Sequence, residues 1–135
     1  MPSIEVIEDI GVRHRSRLKA ADLWSCSALL AAGATKKGRR IVAETVGVSE
    51  SRVLEWVHKA DLMRITGIST RYSQLLEAAG IDSMRKLKKS RPAQLHQSLV
   101  AADKRRRKRL VKRLPPATEV ATWIQQARQL SPMVK

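Results

Sequence analysis

The stretch from Glu50 to Ala79 constrains what this chain can fold into more than any other. Between Ser51 and Arg64, Val53, Trp56, Val57, Ala60 and Met63 recur three and four positions apart, while Ser51, Arg52, Glu55 and Lys59 lie largely on the other side. That is one face of an amphipathic helix. Ile65-Thr66-Gly67-Ile68-Ser69 reads as a tight turn, and Thr70 to Ala79 is helical again. Two helices joined by a hydrophobic-x-Gly-hydrophobic-small turn make a helix-hairpin-helix, whose turn amides can face a phosphate.

The rest of the chain is punctuated the same way. Ser3 caps a short helix over Ile4 to Glu8, and the turn Asp9 to Val12 leads into a helix from Arg13 to Ala21, with Val12, Leu18 and Ala21 inward. Ser25 caps Cys26 to Ala32, ended by Gly33. Thr35 caps a helix near Lys37 to Val46, ended by Gly47, and Ser49 caps the rod that follows. Beyond the second turn, Gly80 ends a helix and Asp82 or Ser83 caps another through Leu87. Pro92 sits in a first helical turn, where its missing amide hydrogen costs little, and Gln94 to Ala102 continues. Asp103 caps a basic helix from Lys104 to Leu114, Pro115-Pro116 breaks it, a last helix runs from Ala117 to Leu130, and Ser131 to Lys135 frays. The expectation is an all-α, compact bundle of short helices.

Phe is absent, so the core must be aliphatic, with Trp24, Trp56 and Trp123 as its largest pieces. Cys26, the single cysteine, excludes an intrachain disulfide and reads as a small buried apolar residue in a reducing compartment. With no apolar run of signal or bilayer-spanning length, a soluble cytoplasmic protein without membrane contact is expected.

The turns coincide when the chain is shifted by 58 residues, from Ile7 to Ile65. Ile10 then meets Ile68, Arg13 meets Arg71, and Leu18 to Ala21 meets Leu76 to Ala79. Later the shift becomes 67, bringing Val53, Trp56, Val57 and Ala60 onto Val120, Trp123, Ile124 and Ala127. These are two copies of one helical unit, residues 1–62 and 63–135, each containing a hairpin and closed by a Trp-bearing helix.

Each hairpin keeps one of the two glycines that such a turn uses to bring its amides close to a phosphate. The first has Asp9 and Gly11, and a carboxylate there repels phosphate; the second has Gly67 and Ser69. Gly67, Ser69, Thr70 and Arg71 are therefore the better phosphate site. Upstream, Ala43, Gly47, Val53 and Trp56 match helix-turn-helix spacing, which would offer Ser51, Arg52 and Glu55 to a major groove. Glu50 and Glu55 oppose such an approach, and structural helix pairing explains the spacing as well.

Charge is the broadest signal. The formal net charge of +15 implies a polyanionic partner. Lys104, Arg105, Arg106, Arg107, Lys108 and Arg109, with Lys112 and Arg113, put eight cations in ten residues. Lys36, Lys37, Arg39 and Arg40 form another cluster, as do Arg85 to Arg91 and Arg13 to Lys19. One such run is usually a solvated face; four unbalanced ones are harder to dismiss. Four aromatics, with the Trp residues on apolar faces, do not make a stacking platform for single strands. His14, His58 and His96 are scattered and no catalytic, metal or phosphate-loop motif is present, so no enzyme, cofactor or small-molecule substrate is expected.

Ile7-Glu8-Asp9-Ile10-Gly11, Ala32-Gly33-Ala34-Thr35, Gly38-Arg39-Arg40, Gly47-Val48-Ser49, Trp56-Val57, Ala60-Asp61-Leu62, Ile65-x-Gly67-Ile68 and Leu75 to Ile81 resemble a bacterial tandem helix-hairpin-helix family, a domain of unknown function of the 4332 type. Arg113-Leu114-Pro115 and Trp123-Ile124 extend the resemblance over nearly the whole chain. It implies an all-helical fold with two hairpins and transfers no enzymatic activity. Asp9, where a glycine is usual, and the strongly basic Lys104 to Arg113 depart from that pattern.

The expected function is non-catalytic, largely sequence-independent binding of duplex DNA or structured RNA. Arg39, Arg40, Arg52 and Lys104 to Arg109 would supply charge, and Gly67, Ser69, Thr70 and Arg71 register. An adaptor that docks an acidic protein or ribonucleoprotein with the same cations is the alternative.

Overall fold

The computed structural model describes residues 2–106 and 109–135. Among them lie eight α-helices: α1 (Val12–Ala20), α2 (Cys26–Ala32), α3 (Lys36–Val46), α4 (Glu50–Leu62), α5 (Thr70–Ala78), α6 (Met84–Lys89), α7 (Pro92–Lys104) and α8 (Ala117–Gln129). A 3-10 turn, Ile4–Val6, precedes them, and an isolated bridge pairs Ser3 with Ser25. The described residues are thus all-α.

Local chemistry sets the helix limits. Ser25, Thr35, Ser49, Ser69 and Ser83 each accept a hydrogen bond from the amide three residues on, at Ala28, Gly38, Arg52, Tyr72 and Lys86. Each such cap is worth about 1 kcal/mol. Pro92 opens α7, and Pro116 precedes α8. α3 stops at Gly47, whose φ of 82° lets the amides of Gly47 and Val48 both reach the carbonyl of Ala43.

The chain divides into two compact units. The first runs to Arg64 and includes Pro132–Lys135; the second is Ile65–Ser131. In the first, α2 and α3 pack against α4, and α1 against α3. They bury Ile4, Ile7, Ile10, Leu18, Leu29, Leu30, Val42, Val46, Val53, Trp56 and Val57. In the second, α6 and α7 pack against α8, and α5 against α7. Its buried residues include Ile65, Ile68, Leu75, Leu76, Leu87, Leu99, Val120, Trp123 and Ile124.

Within each unit the same bonds recur. The amide of Ile10 donates to Ile7, and that of Ile68 to Ile65. After α1, Asp22 (φ 64°) and Leu23 donate to Lys19 and Leu18; after α5, Gly80 (φ 91°) and Ile81 donate to Glu77 and Leu76. His14 leans on Trp56 in the first unit, Tyr72 on Trp123 in the second.

Several expectations are corrected. The described residues between Lys104 and Leu114 are not helical: α7 runs through Asp103, ends at Lys104, and Arg105 is its C-terminal cap. Like charges three and four residues apart oppose a helix there, and Asp103, buried, draws Arg109 Nε to 3.7 Å of its Oδ2. The segment over Ile4 to Glu8 is only the 3-10 turn, because Ile4 and Ile7, three apart, both enter the core. Val12 is 74% exposed and Ala21 is exposed too. Trp24 is 57% exposed, with Lys19 Nζ 5.3 Å from its ring centroid, so it lies over the surface rather than in the core. The terminal residues do not fray: Met133 and Val134 pack on the first unit's core and the Lys135 amide donates to Ala34.

Candidate nucleic-acid interface

The turn after α4 is built by two buried anchors, Ile65 and Ile68, which leave Thr66 and Gly67 outside. Gln126 of α8 clamps it: Oε1 accepts from the Thr66 amide at 3.0 Å and Nε2 donates to the Thr66 carbonyl at 3.2 Å. Gly67 has φ 98°, and a Cβ there would stand 3.0 Å from Trp123 Nε1. The left-handed backbone therefore favours glycine, and the close indole adds crowding against a side chain. Ser69 follows as the cap of α5, its Oγ accepting from the Tyr72 amide at 3.4 Å, and Thr70 and Arg71 open the helix. The amides at this end carry the positive pole of the helix. Gly67, Ser69, Thr70 and Arg71 are thus brought together.

The same helix start is tied to the basic segment. Tyr72 Oη donates to the Arg113 carbonyl at 3.0 Å, and Arg113 Nη2 lies 3.4 Å from Oε2 of Glu119 on α8. Lys104, Arg105 and Arg106 are exposed at the end of α7, and Arg109 is exposed beside Asp103. Arg107 and Lys108 lie outside the described residues. Of the cations expected on a basic helix, Lys104 ends α7, while Arg105, Arg106 and Arg109 stand outside any helix.

In the first unit the corresponding turn is closed by the protein's own charges. Asp9 pairs with Lys59 of α4, which is only 8% exposed rather than on the outer face. Lys59 stands at the α4 position that Gln126 occupies on α8, and both reach back to their turn. Arg39 is also lost to the surface. It is 8% exposed and donates to the carbonyls of Gly33 at 2.8 Å and Lys135 at 2.6 Å. Arg40 is exposed but sits 3.3 Å from Glu50. Arg52 is exposed with Ser51 and Glu55 on the first turns of α4, while Ala43, Val53 and Trp56 are buried. Arg39, Arg40 and Arg52 belong to the first unit and the remaining candidate residues to the second.

The sequence alone does not mark Tyr72, Arg113, Glu119 and Gln126 as parts of the turn. The repeat held a signal for one of them, since Gln126 aligns with Lys59. The Tyr72–Arg113 bond joins residues 41 apart and left none. Elsewhere, burial pushes the Cys26 thiol up to about 11, which makes it unreactive at neutral pH. The hydrogen bond and charge of Lys19 hold the Glu5 carboxyl below its usual value. Among the described residues no cluster of metal-ligating side chains occurs, and no helix is long and apolar enough to cross a membrane.

Fold and site together define a small all-α protein with a glycine turn at a helix start and a loop of exposed cations beside it. The chain belongs to the family Domain of unknown function (DUF4332), whose model matches residues 8–130. Neither the curated proteins nor the solved structures give a match.

Proposed function

We propose that this protein is a non-catalytic, largely sequence-independent binder of duplex DNA or structured RNA, built from two helix-hairpin-helix units of which the second makes the phosphate contact. The observation that carries the reading is the Tyr72–Arg113 hydrogen bond, which ties the start of α5 to the cationic loop. One backbone phosphate at Thr70 and Arg71 would set register while Lys104, Arg105, Arg106 and Arg109 release counterions from its neighbours. Asp9, already paired with Lys59, supports assigning the contact to the second turn and not the first.

A mobility-shift series on random duplex and on folded RNA tests this. About six neutralised phosphates would give a log–log salt slope near −5 on duplex DNA. Replacing Arg105, Arg106 and Arg109 together by Glu should abolish binding at moderate salt. Undiminished binding by that variant, or a salt-insensitive affinity, would remove the cationic loop from the mechanism. The adaptor reading, in which the same cations dock an acidic protein, draws support from the internal pairing of Arg109 and Arg113 with carboxylates. Failure to bind either polymer at low salt would favour it.

A further inference from the structure

We propose that Glu119 is a built-in competitor at the Gly67 turn, holding Arg113 in an internal ion pair that a nucleic-acid backbone must break. The inference rests on reading that turn as a phosphate site. Glu119 stands in the first turn of α8 and faces two ways. Its Oε2 is 3.4 Å from Arg113 Nη2, and its Oε1 is 3.7 Å from the point where a Cβ on Gly67 would lie. A carboxylate so close to the turn repels an arriving phosphate and also occupies the cation that would receive it.

The backbone of Arg113 is fixed independently, because its carbonyl accepts from Tyr72 Oη in the first turn of α5. The guanidinium can therefore leave Glu119 for an anion at the start of α5 without the segment moving. The Arg113 side chain is 70% exposed and the Glu119 side chain 28%, at a separation of 3.4 Å, so the cationic half of the pair is solvated and can be displaced. A ligand with one phosphate gains a single contact against this opposition. A polymer gains several, so Glu119 sets the site to answer to nucleic-acid chains and to ignore free phosphate or nucleotides. Sequence gave no hint of it, since Glu119 and Gly67 are brought together only by the fold.

The test is duplex binding by fluorescence anisotropy over a salt series, with Glu119→Gln compared with Glu44→Gln, an exposed carboxylate of α3. Glu119→Gln should bind roughly fivefold tighter at low salt, and its slope should steepen by about 0.9, the value of one further phosphate contact. In an Arg113→Ala background the added slope should vanish and the gain in affinity should shrink to the part that relief of direct repulsion at the turn supplies. Glu44→Gln corrects for the loss of one negative charge anywhere on the protein. Glu119→Ala must act in the same direction as Glu119→Gln, and thermal melts check that all variants fold. Equal behaviour of Glu119→Gln and Glu44→Gln, with the wild type binding, would overturn the competitor while sparing the phosphate site. No binding by the wild type or any variant would overturn both. Binding by Glu119→Gln alone would support a competitor that dominates.

Discussion

Gly67 shows how one residue can hold a site open. Its φ of 98° disfavours L side chains by backbone strain, and the indole of Trp123, 3.0 Å from the missing Cβ, would crowd one further. Gly67→Ala should destabilise the protein by about 1–3 kcal/mol, read as a shift of the urea midpoint. Arg39 makes the opposite point about single residues. As a cation in a basic cluster it resembles Arg40, but its guanidinium is spent on two carbonyls inside the first unit. Arg39→Ala leaves the buried Gly33 carbonyl without this partner and removes the bond to the exposed Lys135, and should cost about 1–3 kcal/mol, whereas Arg40→Ala, losing an exposed pair, should cost less than about 1 kcal/mol. Denaturation of the two variants side by side measures the difference, although each removes the same formal charge.

At the scale of elements, helix starts were legible and the basic segment was not. Ser25, Thr35, Ser49, Ser69 and Ser83 announce α2 to α6 because a cap acts within four residues. Lys104 to Leu114 has helix-forming residues throughout, but propensity is a small effect set against repulsion among neighbouring cations and the pull of buried Asp103 on Arg109. Asp103, a cap by its sequence position, is an interior residue of α7. The loop makes a distinguishable prediction. Lys112→Gly, which would cost about 1 kcal/mol in a helix, should change stability by less than about 0.5 kcal/mol and leave the far-ultraviolet dichroism unaltered. The tyrosine that fastens this loop could not be read from the chain, since its acceptor lies 41 residues away.

For the whole molecule, the excess of 15 positive charges is carried with few internal counter-charges. Screening should therefore stabilise it. The thermal midpoint should rise by several degrees between about 0.02 and 0.5 M salt as the Debye length shrinks below the spacing of the surface cations, followed by circular dichroism. A falling midpoint would mean that internal ion pairs such as Asp9–Lys59 outweigh the repulsion. The sequence by itself determined the all-α class, most helix limits and the matching order of buried positions, because capping, glycine turns and apolar periodicity are local properties. Only the tertiary structure decided which charges stay outside. Arg39 and Lys59 read as surface residues until partners far along the chain drew them in, Asp103 read as a cap until α7 buried it, and Glu119 met the Gly67 turn only once α8 had packed. Charge acts through space, and a pattern of residues does not state which distant groups folding will bring within its range.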